Sequence, residues 1–335
     1  MVLPSPTLTY AAKIERLTDK YLDVLIGGDV IGGSAISRAI EKHLRKGLKV
    51  TMTKRAASSI RNNLDQVCSM GIQVVEDESE LSKSNGAIIR LEELNLTQIL
   101  EFLKGLGVKT EDTDIVAVAV QDHGVPSPNQ SNREFRIAKM EDLLKQNPVL
   151  ENLAFKEDEV PSYFLRMHSA VDACKRQMST AKVIVMDTSP CAVLGCLEDS
   201  EVRKKDRALI VNLGNGHTIA ALVFGARIAG LLEHHTALLR RSPGKLEDLL
   251  RRFVDGDVKS KEIFDDGGHG AFYLPDIMEK ERKPSLDNID IVTVTGPNRS
   301  ITADFKLPIH YASPAGDVMM TGNMGLVRAA LRKTA

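Results

Sequence analysis

Residues 209–222 read "LIVNLGNGHTIAAL", an apolar run, a loop of Gly and Asn, and a second apolar run that opens on a β-branched pair. Asn and Gly tolerate the positive φ of tight hairpins, so the plainest reading is a turn between two antiparallel strands. The same loop can also serve chemistry. Gly214 and Gly216 would let backbone N–H groups approach phosphate oxygens without obstruction, with Asn215, His217 and Thr218 as side-chain donors. The loop taken alone leaves both readings open.

Outward from it, the pattern is that of an α/β protein. From Ala208 onward, "ALIVNLG", "HTIAALVFG" and "ARIAGLLEH" are three strand-like runs with short turns, which predicts an antiparallel meander. A helical "PGKLEDLLRRFVDG", a polar glycine-rich insert, a strand "IDIVTVTG", a short strand "LPIHY" and a terminal helix follow. Before residue 208, "LDVLIGG", "LKVTMT", "IQVVE", "GAIIRL", "DIVAVAV" and "KVIVMD" read as strands alternating with helices such as "SAISRAIEKHLRKG" and "KRAASSIRNNLDQVCSMG". In "SYFLRMHSAVDACKRQMS", Phe164, Met167, Val171 and Cys174 recur at helical spacing.

The 335 residues suffice for two domains or one large one. Lys plus Arg, 44, nearly cancel Asp plus Glu, 45, and Trp is absent, so neither a basic field nor stacking platforms favour nucleic acid. No stretch reads as a membrane span or a secretory leader, which gives a cytoplasmic expectation with no membrane partner. Cys68, Cys174, Cys191 and Cys196 form no CxxC pair and no C-x3-C-x2-C triplet, and read as reduced, largely interior thiols.

A second glycine loop, "IGGDVIGGS" at residues 26–34, imitates P-loop spacing. Gly33 stands where the phosphate-binding Lys belongs, and Asp29 would repel an anion, so close strand–helix packing is the better explanation. Several of the eight histidines lie beside glycines or at element ends: His123, His217, His234, His235 and His269. Adjacent His234 and His235 cannot easily face one ion from a strand, and no H-x3-H pair exists, so no metal ligands are assigned on spacing.

Four pieces then line up in order: "VIVMDTSPCAVLGCLED", a strand ending in Asp187 before a helix; the opening loop; "IDIVTVTGPNRS"; and "GDVMMTGNMGLVRAAL", with Val318, Gly322, Gly325 and Ala329 as a small-residue stripe. Their order and spacing resemble the actin, heat-shock chaperone and sugar-kinase ATPase superfamily from about Asp114 onward. The resemblance implies two ribonuclease-H-like lobes, residues 1–200 with an insert around 11–90 and residues 201–335 with an insert around 240–288. It implies ATP and Mg2+ as cofactors and Asp187 as the carboxylate that orients water or acts as base. A helix cap is the alternative for Asp187. The implied phosphate loop is Asn212, Gly214, Asn215, Gly216, His217 and Thr218, and the adenosine loop is Gly296, Pro297 and Asn298. "VAVAVQDHG", ending at Gly124, is similar to a sugar-kinase strand end near the substrate. More narrowly, "MVLPSPT", "VNLGNGHTIAALV" and "MDTSPCAVLG" resemble an uncharacterised family of anaerobic prokaryotes labelled pyruvate-formate-lyase-activating-enzyme-like. That label implies radical chemistry on a three-cysteine iron–sulfur motif, which is not written here.

The sequence departs from the superfamily pattern in three places. "MVLPSPT" reads as the third strand of the first lobe, so that lobe is expected to be incomplete at its N-terminus and to lack the first phosphate loop. Asn212 stands where many relatives carry Asp, and the adenosine loop has Pro297 in place of a second glycine. The expected function is a nucleotide-binding protein with a substrate or protein partner that the sequence does not identify. Phosphoryl transfer or slow hydrolysis would need the missing strands. A non-catalytic sensor or scaffold, and a metal-dependent hydrolase using Asp122, His123 and His269, are the alternatives.

Overall fold

The computed structural model describes residues 3–127, 130–279 and 285–335. Along the chain the elements are α1 (Pro6–Asp19), β1 (Val24–Gly28), α2 (Ser34–Arg45), β2 (Val50–Thr53), α3 (Lys54–Ala57), α4 (Leu64–Ser69), β3 (Gln73–Val75), α5 (Glu78–Leu81), β4 (Ala87–Leu91), α6 (Leu96–Gly105) and β5 (Ile115–Ala119). There follow α7 (Asn132–Gln146), β6 (Ala154–Lys156), α8 (Leu165–Gln177), β7 (Lys182–Met186), α9 (Thr188–Cys196), β8 (Arg207–Leu213), β9 (His217–Phe224), β10 (Arg227–His235), α10 (Thr236–Leu239), α11 (Pro243–Val254), α12 (Ser260–Asp265), β11 (Gly270–Tyr273), α13 (Pro275–Met278), β12 (Ile291–Thr295), β13 (Ile309–Tyr311) and α14 (Thr321–Thr334). Packing divides the chain into one unit of Met1–Val116 with Phe164–Val183 and a second of Ala117–Tyr163 with Ile184–Ala335. The lobe boundary expected at residue 200 falls inside the second unit.

The first unit is built on a four-stranded parallel sheet, order β3-β2-β1-β4. Its central strands β1 and β2 are buried almost throughout, as a parallel sheet covered by helices requires. Ile26 and Met52 from these strands pack with Ile36 and Ile40 of α2 and Ile14 of α1. The N-terminal stretch corrects an expectation: "MVLPSPT" is not a lobe strand. Met1 and Val2 lie outside the described residues, while Pro6 opens α1, where its fixed φ suits the first helical position and its missing N–H costs nothing. Tyr10, Ile14 and Thr18 then recur every fourth residue along the buried face. "KRAASSIRNNLDQVCSMG" forms two short helices, because Asn63 accepts from the Asp65 and Gln66 N–H groups and starts a new one.

The second unit holds a six-stranded sheet, order β11-β10-β9-β8-β12-β13. Strands β8, β9 and β10 are the expected antiparallel meander, and β12 and β13 run parallel to β8. With β11 set aside, the strands numbered in chain order from β8 stand 3-2-1-4-5, which is the ribonuclease-H-like arrangement. The sixth strand, β11, comes from the glycine-rich insert and pairs with β10, Leu231 opposite Phe272. A bulge between Ile228 and Gly230 interrupts the β9–β10 register. A smaller sheet has order β5-β7-β6, with Phe155 of β6 antiparallel to Val185 of β7.

Helices α9 and α14 cross through glycines. A Cβ on Gly195 would overlap the Thr321 carbonyl oxygen, and one on Gly325 would overlap that of Cys191. The small-residue stripe is therefore real but is displaced from the expected one. It runs Thr321, Gly325 and Ala329, because Val318 lies in a 3-10 turn before the helix and Gly322 meets nothing within 4 Å. Among the described residues, no helix is long and apolar enough to cross a membrane.

Candidate functional site

The opening loop is a turn in a well-defined place. Gly214 N–H donates to the His217 carbonyl at 3.0 Å and closes it between β8 and β9. Asn215 and Gly216 are exposed at the tip, and a Cβ on Gly216 would meet nothing within 4 Å. The 296–298 loop, at the end of neighbouring β12, docks on the same turn. Asn298 donates from its backbone to Leu213 O at 3.0 Å and from Nδ2 to Gly214 O at 2.9 Å. Gly296, at φ 98°, adopts a conformation that disfavours any side chain, and a Cβ there would press on Leu213 O and Asn212 Oδ1.

Asn212, Gly214, Asn215, Gly216, His217, Gly296, Pro297 and Asn298 are thus gathered at one end of the β8–β12 pair. Thr218 is not available: it is fully buried, with its hydroxyl 3.0 Å from that of Thr236. Asn298 braces the turn, and the exposed positions belong to Asn215, Gly216 and Pro297.

Asp187 has one expected partner and one that the sequence did not reveal. It caps α9 through Ser189 N–H at 2.9 Å, as the cap alternative expects. It also receives Arg136 in a fork, Nη1 to Oδ2 at 2.6 Å and Nη2 to Oδ1 at 2.9 Å, and accepts from Asp122 N–H at 3.1 Å. Burial would raise its pKa, but the Arg136 charge and these bonds outweigh it and hold the carboxyl below the ordinary range. Arg136 is itself fully enclosed. Its Nε reaches Glu233 Oε2 at 2.8 Å, and its Nη1 also donates to Asp122 O at 2.7 Å. Burial opposes its charge, but the two carboxylates raise its pKa further above the usual range.

Beside this network lies a group of histidines that linear spacing does not reveal. His123, from the loop after β5, His217, opening β9, and His269, just before β11, offer ring nitrogens that all lie within 4.8 Å of one another. Their ring centroids are 5.3, 5.4 and 4.6 Å apart. His235 stands 4.9 Å from both His217 and His269, and hydrogen-bonds the Gly216 backbone. Its neighbour His234 turns the other way, to Asp266 Oδ2 at 2.9 Å, as strand alternation requires. Burial, reinforced by Arg136 and by neighbouring imidazoles, depresses His123 to about 3 and His269 to about 2. Burial, partly opposed by Glu233, brings His217 to about 4. All three are neutral at pH 7, with lone pairs to offer.

The fold and site can now be set beside known proteins. The family profile described as "Putative pyruvate format-lyase activating enzyme (DUF1786)" matches residues 31–301. The chain belongs to this family. A search of curated proteins gives no match. Among solved structures, a Listeria monocytogenes protein described as "a putative N-acetylmannosamine kinase" is 13% identical over 72% of this chain and 88% of its own, at a TM-score of 0.32. MreB5 of Spiroplasma citri bound to ADP is 14% identical over 72% and 76%, at 0.30, and a PilM-PilN type IV pilus biogenesis complex is 13% identical over 71% and 84%, at 0.35. With TM-scores this low, none of them bears on the site. This family member has Cys174, Cys191 and Cys196 buried and Cys68 exposed. Among the described residues, cysteines join no group of converging metal ligands.

Proposed function

We propose that the chain binds a nucleotide, ATP in the first instance, at the 214–217 turn, as an actin-like protein with lobes at residues 1–200 and 201–335. The observation that carries this reading is the docking of the 296–298 loop on the 213–214 backbone, which fixes the turn while Asn215 and Gly216 stay exposed. A phosphate needs backbone N–H donors and no side chain in the way, and the open space at Gly216 meets the second condition. Binding is favoured over phosphoryl transfer, because both Asp187 oxygens are committed to Arg136 and to backbone donors. This supports the sensor or scaffold role. Mg2+ fits poorly: hard cations take oxygen ligands, Asn212 replaces the expected carboxylate, and the donors that converge here are imidazoles.

The test is thermal denaturation with ATP and ADP. Saturating nucleotide should raise the melting temperature, and Gly216→Val should lose the rise while melting normally without ligand. An unchanged wild-type melting temperature would overturn the reading.

A further inference from the structure

We propose that His123, His217 and His269 form a binding site for a single first-row transition ion of the zinc class, with its fourth coordination position open to a water or a substrate oxygen. This goes beyond nucleotide binding and does not depend on it. Three imidazoles suit zinc, cobalt or nickel better than magnesium or calcium, and three protein ligands with one vacant position mark catalytic rather than structural zinc sites. Ligands around a tetrahedral zinc stand about 3.4 Å apart, so nitrogens already within 4.8 Å need only small rotations to close on an ion.

Two observations point to a ligand independently of that geometry. His269 is fully buried, yet neither Nδ1 nor Nε2 has a hydrogen-bond partner among the described residues. A neutral imidazole always carries an N–H, so leaving both nitrogens unmatched in the interior is costly unless something else engages one of them. Glu233 Oε1 is likewise buried without a hydrogen bond, 3.5 Å from His217 Nδ1, the nitrogen that Gln121 Nε2 contacts. With Gln121 and Glu233 both on the Nδ1 side, Nε2 of His217 is the nitrogen left for an ion, and outer partners of this kind orient metal-ligating histidines.

Charge and rigidity agree. Arg136 faces Asp187 and Glu233, one guanidinium against two carboxylates, which leaves one negative charge to offset a divalent ion. The ligands sit on fixed backbone. His217 pairs with His235 across the β9–β10 ladder, and His269 N–H donates to Glu233 O at 2.9 Å. The His123 loop is pinned by Arg136 on Asp122 O, by Asp187 on Asp122 N–H and by Gly124 N–H on Asp122 Oδ1 at 2.8 Å. Arg136 and Asp187 are thereby positioning residues. His235, bonded to the Gly216 backbone, is left out of the ligand set.

The experiment uses untagged full-length protein, stripped with a chelator and titrated with Co2+ and then Zn2+ in the absence of nucleotide. The expected result is a cobalt ligand-field band saturating at one ion per chain and displaced by zinc. His123→Ala and His269→Gln should each weaken binding by at least about tenfold and Glu233→Gln by about tenfold, while His310→Ala, on β13 and hydrogen-bonded to Asp199, should leave it unchanged. Circular dichroism checks the fold of each variant. Where one does not fold, diethyl pyrocarbonate mapping of the wild type replaces it: Zn2+ should protect the partly exposed His123 and His217 but not His310. A wild-type protein with neither band nor protection, or a folded His269→Gln variant that binds cobalt as tightly as wild type, overturns the proposal. A nucleotide effect on melting without cobalt binding would retain the nucleotide reading and reject this one.

Discussion

The chain carries two glycine loops of similar appearance, and they have opposite fates. In the first unit, the loop at residues 26–34 commits its donors to the elements around it. Gly28 N–H goes to Glu78 Oε1 at 2.9 Å, Asp29 N–H to Leu91 O at 2.8 Å, Val30 N–H to Ser169 Oγ at 2.9 Å and Ile31 N–H to Ser59 Oγ at 2.9 Å. Its buried Asp29 carboxylate is held by Arg176 at 2.8 Å and Arg55 at 3.3 Å, and a Cβ on Gly33 would overlap the Ser59 carbonyl oxygen. In the second unit, the 214–217 turn is braced from behind and open in front. Glycine serves packing in one and access in the other, and only the surroundings tell them apart.

The comparison can be broken or sharpened by measurement. The largest effect is expected at the anchor of the open site. Arg136→Met strands two buried carboxylates and should cost about 3–5 kcal/mol in guanidinium denaturation; a loss below about 1 kcal/mol would mean that the carboxylates find other partners. Next is the closed loop. Gly33→Ala, at an ordinary φ of −97°, has no backbone strain to relieve and should lose about 1–3 kcal/mol from overlap alone.

Group by group, the response to acid is smaller again. His123, His217 and His269 are depressed to about 3, 4 and 2 from an ordinary 6.5. Above pH 6.5 they are neutral in both folded and unfolded chains, and stability is complete. Below it the unfolded chain takes up protons that the folded one refuses, so each of the three should cost metal-stripped protein on the order of 1 kcal/mol per pH unit as pH falls from 6.5 toward 4. His269→Gln should flatten that fall. The smallest effect is Gly216→Ala, expected within about 0.5 kcal/mol of wild type, because the added methyl enters open space. A large loss there would make the two loops alike after all.

The meander, the strand–helix alternation of the first unit and the position of the turn were legible because apolar runs and turn residues are local signals. The strand β11 was hidden in a polar, glycine-rich insert, and α1 was missed, its first residues being read as the end of a strand. The spacing of Tyr10, Ile14 and Thr18 after Pro6 is the signal that could have found it. Asp187 was located, but its partner was not, since nothing in "NREFRIAKMEDLLKQ" marks Arg136 as the one basic residue of α7 that is fully enclosed. The histidines could not be grouped from spacing at all. They come from a loop, the start of β9 and the residue before β11, which only the β11-β10-β9 order brings side by side.

That order gives the bulge at Ile228 and Gly230 a consequence far from where it sits. Along β10, Glu233 and His235 share one face and His234 the other, so the parity of the strand decides which histidine looks at the ring cluster and which at Asp266. The extra residue, Ala229, is absorbed at the bulge, so the pairs from Gly230–Leu222 to His235–His217 keep that parity. Deleting Ala229 would let Ile228–Val223 run directly into Gly230–Leu222 and leave Glu233 and the two histidines on their faces, whereas a one-residue slip beyond the bulge would exchange them.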